Sequence, residues 1–123
     1  MTTVLICRTR TQQYAGFICM GHAGYAKPGK PDILCASIST LVINTINSLE
    51  ELAGELLQVS SDEETGFIRC VIESDLQEKS IFLMDAMVFG LQQLAKTYGE
   101  KYLSVKFETD VLIPTGAVSQ ENL

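Results

Sequence analysis

His22, the only histidine of this 123-residue chain, and Cys35, one of four cysteines, flank a short loop in the segment GHAGYAKPGKPDILCA. A thiolate is a nucleophile, and an imidazole beside it can take the thiol proton and later protonate a leaving amine. That is the chemistry of a thiol protease. If Asp32 is a helix N-cap, then Ile33, Leu34 and Cys35 are the first three helical positions. Cys35 then lies among backbone N–H groups without intrahelical partners, which favour negative charge. A free thiol has a pKa of about 8.5, and a helix N-terminus together with a nearby imidazolium lowers it toward neutral pH. The N–H groups of Cys35 and Ala36 are also candidate donors to the oxyanion of an attacked peptide carbonyl. Asp32 could orient the imidazole as a third catalytic member, but its charge beside Cys35 opposes thiolate formation, so its capping role comes first. Gly21 and Gly24 flank His22 where a side chain would obstruct a substrate. With Tyr25, Leu34, Ala36 and Ser37 they are the candidate substrate contacts, chosen by nearness in sequence.

These residues need elements to hold them. Val4 to Arg8 and Tyr14 to Met20 are rich in β-branched and aromatic residues, and the polar TRTQQ between them reads as a hairpin connection. The loop of residues 23–31 has two glycines and two prolines, which exclude regular structure and make it a candidate lid over a bound peptide. From Ile33, apolar residues at Leu34, Ile38, Leu41, Val42, Leu49 and Leu52 recur at helical spacing up to Gly54. The other side of that helix, with Ile33, Ala36, Ile43 and Ile46, is also apolar, which suggests deep burial or a second subunit. Leu56 to Val59 and Phe67 to Ile72 flank DEETG as a second hairpin. Ser74 and Gln77 are spaced as a capping box before a helical stripe of Leu83, Met87, Leu91, Leu94 and Tyr98. Alternation at Leu103, Val105 and Phe107 makes a last strand. The order ββαββαβ predicts an α/β fold of the α+β type: a two-layer sandwich with both helices on one face of a five-stranded mixed or antiparallel sheet. One domain over residues 1–114 and a polar tail over 115–123 are expected.

Composition narrows the function classes. With 46% hydrophobic and 20% charged residues the chain is globular rather than disordered. The net charge of −6 disfavours a nucleic-acid backbone as partner. The opening MTTVLICRTRTQQ lacks the charged and apolar regions of a signal peptide, and no uninterrupted apolar run approaches a membrane span. Four cysteines without such a signal read as free thiols in a reducing compartment, and the expected location is the cytoplasm.

By residue type alone each feature also has a structural reading, and it is the commoner one. Cys35 can be a small core residue, His22 a satisfied strand-end histidine, Asp32 a cap and the glycines turn formers. Zinc held by Cys7, Cys19, His22 and Cys35 is a further alternative, but the spacing is not a zinc pattern, and strand alternation sends Cys19 and His22 to opposite faces. No metal and no organic cofactor is expected.

GHAGYAKPG followed by DILCASIS resembles the bacterial ribosomal-processing cysteine protease family, Prp, whose members show Gly-His-Ala-Gly and then a helix beginning Asp-Ile-Val-Cys-Ala. The similarity extends over nearly the whole chain, and its specific part is His22 to Ala36. It implies endoproteolysis of an N-terminal extension on a large-subunit ribosomal protein, with His22 and Cys35 as the catalytic pair, adjacent phenylalanines in the substrate and a homodimeric enzyme. The departures are Leu34 for valine, Ser37 for alanine and a loop about one residue longer at Pro31. None removes a catalytic group, and the longer loop bears on lid geometry and fine substrate preference. The rival from another class is a non-catalytic ribosome-assembly or peptide-binding module in which Cys35 is structural.

Overall fold

Strand alternation and helical stripes converge on one core. The computed structural model describes residues 1–110, so the expected tail at 115–123 and the domain limit at 114 lie outside the described residues. Strands β1 (Thr2–Arg8), β2 (Tyr14–Met20), β3 (Leu57–Asp62), β4 (Phe67–Ile72) and β5 (Leu103–Thr109) form a single sheet in the order β3-β4-β2-β1-β5. Neighbours pair antiparallel except β1 and β5, which run parallel, so the sheet is mixed. Helices α1 (Ile33–Glu51) and α2 (Glu78–Tyr98) connect these strands.

Register puts Val4 opposite Cys19 and Ile6 opposite Phe17, with Phe17 in turn opposite Cys70. Because side chains alternate across a strand, these residues share one face, and both helices pack on it. From α1 come Leu34, Ile38, Val42, Ile46 and Leu49, and from α2 Met84, Met87, Val88 and Leu91. Removing each such side chain from water stabilises the fold by about 1.5–3 kcal/mol, before entropy is counted. By length and composition α1 could cross a membrane. Here its Leu34-to-Leu49 stripe is packed against the sheet. Of its second apolar side, Ile46 is buried while Ile33, Ala36 and Ile43 are exposed.

Two local expectations fail for identifiable reasons. The start of α2 is not a Ser74 capping box: Gln77 occupies the cap position without a side-chain cap bond. The first turn of α2 is instead tied to Glu55, whose buried carboxylate accepts from the Gln77 backbone N–H at 3.2 Å and from the Ser80 hydroxyl. The amide of Gln77 donates to the Ala53 carbonyl at 2.7 Å. A tertiary carboxylate thus replaces the local cap. Strand β3 runs on to Asp62, three residues past Val59, because its polar end pairs with the start of β4, Asp62 opposite Phe67. That extension carries the β3–β4 turn to His22.

Candidate active site

Strand β2 ends at Met20, and Gly21 turns the chain out of the sheet. Gly21 sits at φ +87, and a Cβ there would lie 2.7 Å from the Met1 carbonyl oxygen, so glycine is required by both backbone angle and space. The Thr2 hydroxyl donates to the Gly21 carbonyl at 3.1 Å and fixes this exit from the strand. His22 follows, exposed, with Ala23 buried beside it.

One carboxylate closes the loop that returns from His22 to α1. Asp32 Oδ2 accepts the Tyr25 N–H at 2.8 Å and the Ala26 N–H at 3.3 Å, while Oδ1 accepts the Cys35 N–H at 2.9 Å. Asp32 is therefore the N-cap of α1 and also the clasp of the loop. Burial opposes its ionisation, yet the N–H groups of Cys35, Ala26, Tyr25 and Leu34 together hold its carboxyl below the usual range. A carboxylate whose folded pKa lies below its unfolded value of about 3.9 adds stability above that value and loses it as pH falls through the folded pKa. Asp32→Ala is expected to cost about 1–2 kcal/mol at pH 7 and much less at pH 2, read from urea midpoints at the two pH values.

Cys35 Sγ lies 3.8 Å from His22 Nδ1. The other ring nitrogen, Nε2, lies 2.9 Å from the Glu64 carbonyl oxygen in the β3–β4 turn. A carbonyl can only accept, so Nε2 carries the proton and the lone pair of neutral His22 sits on Nδ1, toward the thiol. The turn comes close because residue 66 is glycine: at φ +68, a Cβ there would meet the Gly21 carbonyl oxygen at 2.7 Å and His22 Cε1 at 3.2 Å. Residue-type reasoning missed this contact, since DEETG read as a turn and a backbone carbonyl has no signature in sequence.

The structure brings His22, Asp32 and Cys35 together and separates the other candidates. Leu34 is fully buried in the core and offers no surface to a peptide, because its helical position shares a face with Ile38. The Ser37 hydroxyl is turned back onto the Ile33 carbonyl at 2.7 Å. Tyr25 packs edge-on against the rings of Tyr98 and Tyr102, with centroids 5.0 and 5.1 Å away, which anchors the first part of the expected lid. Gly24 and Ala36 are exposed. The two N–H groups assigned to an oxyanion are engaged: that of Cys35 by the Asp32 side chain and that of Ala36 by the Asp32 carbonyl at 3.0 Å. The cap consumes the donors that the helix start was expected to leave free.

The thiols divide sharply. Cys7, Cys19 and Cys70 are buried, while Cys35 is half-exposed. Burial pushes the Cys19 thiol up to about 11, with the nearby Cys35 adding to the rise. Burial, with a smaller contribution from Glu50, pushes Cys70 up to about 12. Cys7 is raised as well, by burial and then Glu108. Cys7 pairs opposite Gly16, three residues along β1 from the Val4–Cys19 pair, and so faces away from Cys19. Limiting iodoacetamide at pH 7 is expected to label Cys35 alone, as mapped by peptide mass spectrometry. Labelling of a second cysteine at a comparable rate would contradict this division.

Residues 1–103 match the family model described as cysteine protease Prp. The chain is similar to the ribosomal processing cysteine protease Prp of Bacillus subtilis, at 24% identity over 102 residues, covering 80% of this chain and 90% of that protein. Its fold is similar to that of an essential ribosomal processing protease of S. aureus solved in complex with a covalently linked product peptide, at TM-score 0.80 and 21% identity over 88% of this chain and all of that one. A Streptococcus mutans protein superposes at TM-score 0.73 with 29% identity, over 89% of this chain and 95% of that one. The match to the family model spans the loop that carries the imidazole and the helix that carries the thiol, and on it this chain belongs to the Prp family of cysteine proteases.

Proposed function

We propose that this protein is an endopeptidase that removes an N-terminal extension from a large-subunit ribosomal protein, with Cys35 as nucleophile and His22 as general base and then acid. The observation that carries the reading is the approach of Cys35 Sγ to His22 Nδ1 at 3.8 Å, with Nε2 occupied elsewhere. The thiol proton passes to Nδ1, and the thiolate adds to the scissile carbonyl carbon. The tetrahedral adduct collapses as Nδ1–H protonates the departing amine, leaving a thioester on Cys35. Nδ1 then takes a proton from water, whose oxygen displaces the thiol and releases the carboxylate product.

The substrate class is supported from three sides. The B. subtilis relative is named a ribosomal processing protease, and the S. aureus structures hold a substrate peptide and a covalently linked product peptide. A net charge of −6 favours encounter with a basic ribosomal protein. The exposed Gly24 and Ala36 are the proposed contacts for the peptide backbone. The exposed Ile33 and Ile43 of α1 are consistent with the proposed homodimer. A cytoplasmic site of action is proposed with them.

The test is incubation with a peptide carrying adjacent phenylalanines, before and after stoichiometric alkylation of Cys35, with products identified by mass spectrometry. Two fragments from the untreated enzyme and none after alkylation are expected. Cleavage that survives complete alkylation of Cys35 would defeat the assignment.

A further inference from the structure

His22 is held from a side that the thiol does not touch. Its Nε2–H points to the Glu64 carbonyl, and Glu64 lies in a turn with its own internal fastening. Asp62 Oδ1 accepts the Glu64 N–H at 3.0 Å, and the Gly66 N–H donates to the Glu63 carbonyl at 3.3 Å. The peptide plane joining residues 63 and 64 is thus held at both its N–H and its C=O. The Thr65 hydroxyl adds a contact to the Asp62 carbonyl at 3.4 Å. With that plane fixed, only the φ and ψ of Glu64 stand between it and the direction of the Glu64 carbonyl. An Asp side chain that accepts a backbone N–H two residues on is a local device for setting a turn. Here the turn is aimed at a catalytic imidazole.

We propose that Asp62 is a positioning residue: through the Glu64 carbonyl, the β3–β4 turn acts as the third arm of the site, holding His22 as the Nε2–H tautomer with Nδ1 facing Cys35. In a cysteine–histidine pair this task requires an acceptor on the far ring nitrogen, and here a backbone carbonyl meets the requirement while the Asp32 carboxylate is spent on backbone N–H groups. An uncharged acceptor orients the imidazole without placing a second negative charge beside the thiolate. The inference rests on the protease reading for its catalytic meaning, while the state of the imidazole can be measured without any substrate.

The sole histidine makes the test direct. Ring-nitrogen NMR on the nitrogen-15-labelled protein at a pH where His22 is neutral should show Nε2 protonated and Nδ1 unprotonated in the wild type; a protonated Nδ1 overturns the proposal without any mutation. Asp62→Ala is expected to bring the ring-nitrogen shifts toward the free-imidazole tautomer mixture, to displace the pH profile of Cys35 alkylation and to lower kcat about fivefold with KM unchanged, the scale of one net hydrogen bond. Asp62→Asn removes the same charge but keeps an acceptor oxygen, so it should restore wild-type shifts, profile and kcat. Equal losses in the two variants would assign the effect to charge and overturn the positioning role, as would wild-type shifts and profile in Asp62→Ala. Failure of the wild type to cleave the peptide would overturn the protease reading, while the ring-nitrogen and alkylation data would still decide the role of Asp62.

Discussion

Cys35→Ala is expected to leave no peptide cleavage above background, and His22→Ala to lower kcat/KM by about 10²- to 10⁴-fold, the range in which a positioned proton-transfer group contributes. The two effects should not add. A thiolate without its base and a base without its thiolate each lose the same proton transfer, so the double variant is expected to be no slower than Cys35→Ala. Cys35→Ser sharpens the expectation. It retains an O–H near Nδ1, but a hydroxyl is a far poorer source of anion than a thiol, and cleavage is expected to stay at background. Steady-state rates with the phenylalanine-pair peptide check all four variants, with circular dichroism confirming the fold. A His22→Ala enzyme with wild-type kcat/KM would remove the general base from the mechanism.

Gly66→Ala should also lower activity, though residue 66 contributes no side chain. Its φ of +68 is costly for any residue with a Cβ, by about 1–2 kcal/mol. The new methyl group would also be driven to 2.7 Å from the Gly21 carbonyl oxygen, a backbone atom that cannot swing aside. Relief requires the β3–β4 turn to withdraw, and withdrawal stretches the bond between Glu64 and His22 Nε2. The expected result is a stability loss of about 2 kcal/mol or more, read as a lower urea midpoint, with kcat/KM down at least about tenfold under conditions where the variant remains folded. A variant that lost stability but kept full activity would show that the turn supports the sheet and not the imidazole.

The parts of the site that were legible in sequence share a local cause. The extent of β2 and β4 and the first residue of α1 follow from apolar alternation and from an Asp placed to cap, both short-range signals. The juxtaposition of His22 and Cys35 was legible only as a possibility, because it depends on how the loop of residues 23–31 folds back. The sequence does not announce that Asp32 would bond both to the loop and to α1. Leu34 was misassigned by counting nearness to Cys35 rather than helical direction: four residues before Ile38, it belongs to the buried stripe. The Glu64 carbonyl was out of reach altogether, since every residue carries one and only tertiary approach selects it. The start of α2 failed similarly, because the carboxylate that anchors Ser80 lies 25 positions away in the chain.

The parallel pairing of β1 with β5 sets an order of events during synthesis. Thr2, which secures Gly21 next to His22, is itself secured by its N–H on the Tyr102 carbonyl at 2.9 Å and stands opposite Leu103 in the sheet. The thiol, the imidazole and the turn that orients it all leave the ribosome before residue 102 does. Until then β1, paired only with β2, is an open edge of the sheet, and the strand exit at Gly21 lacks its outer support. A nascent chain that already contains Cys35 and His22 accordingly still lacks the outer support of the strand exit beside His22, which comes only when the far end of the domain arrives to close the sheet.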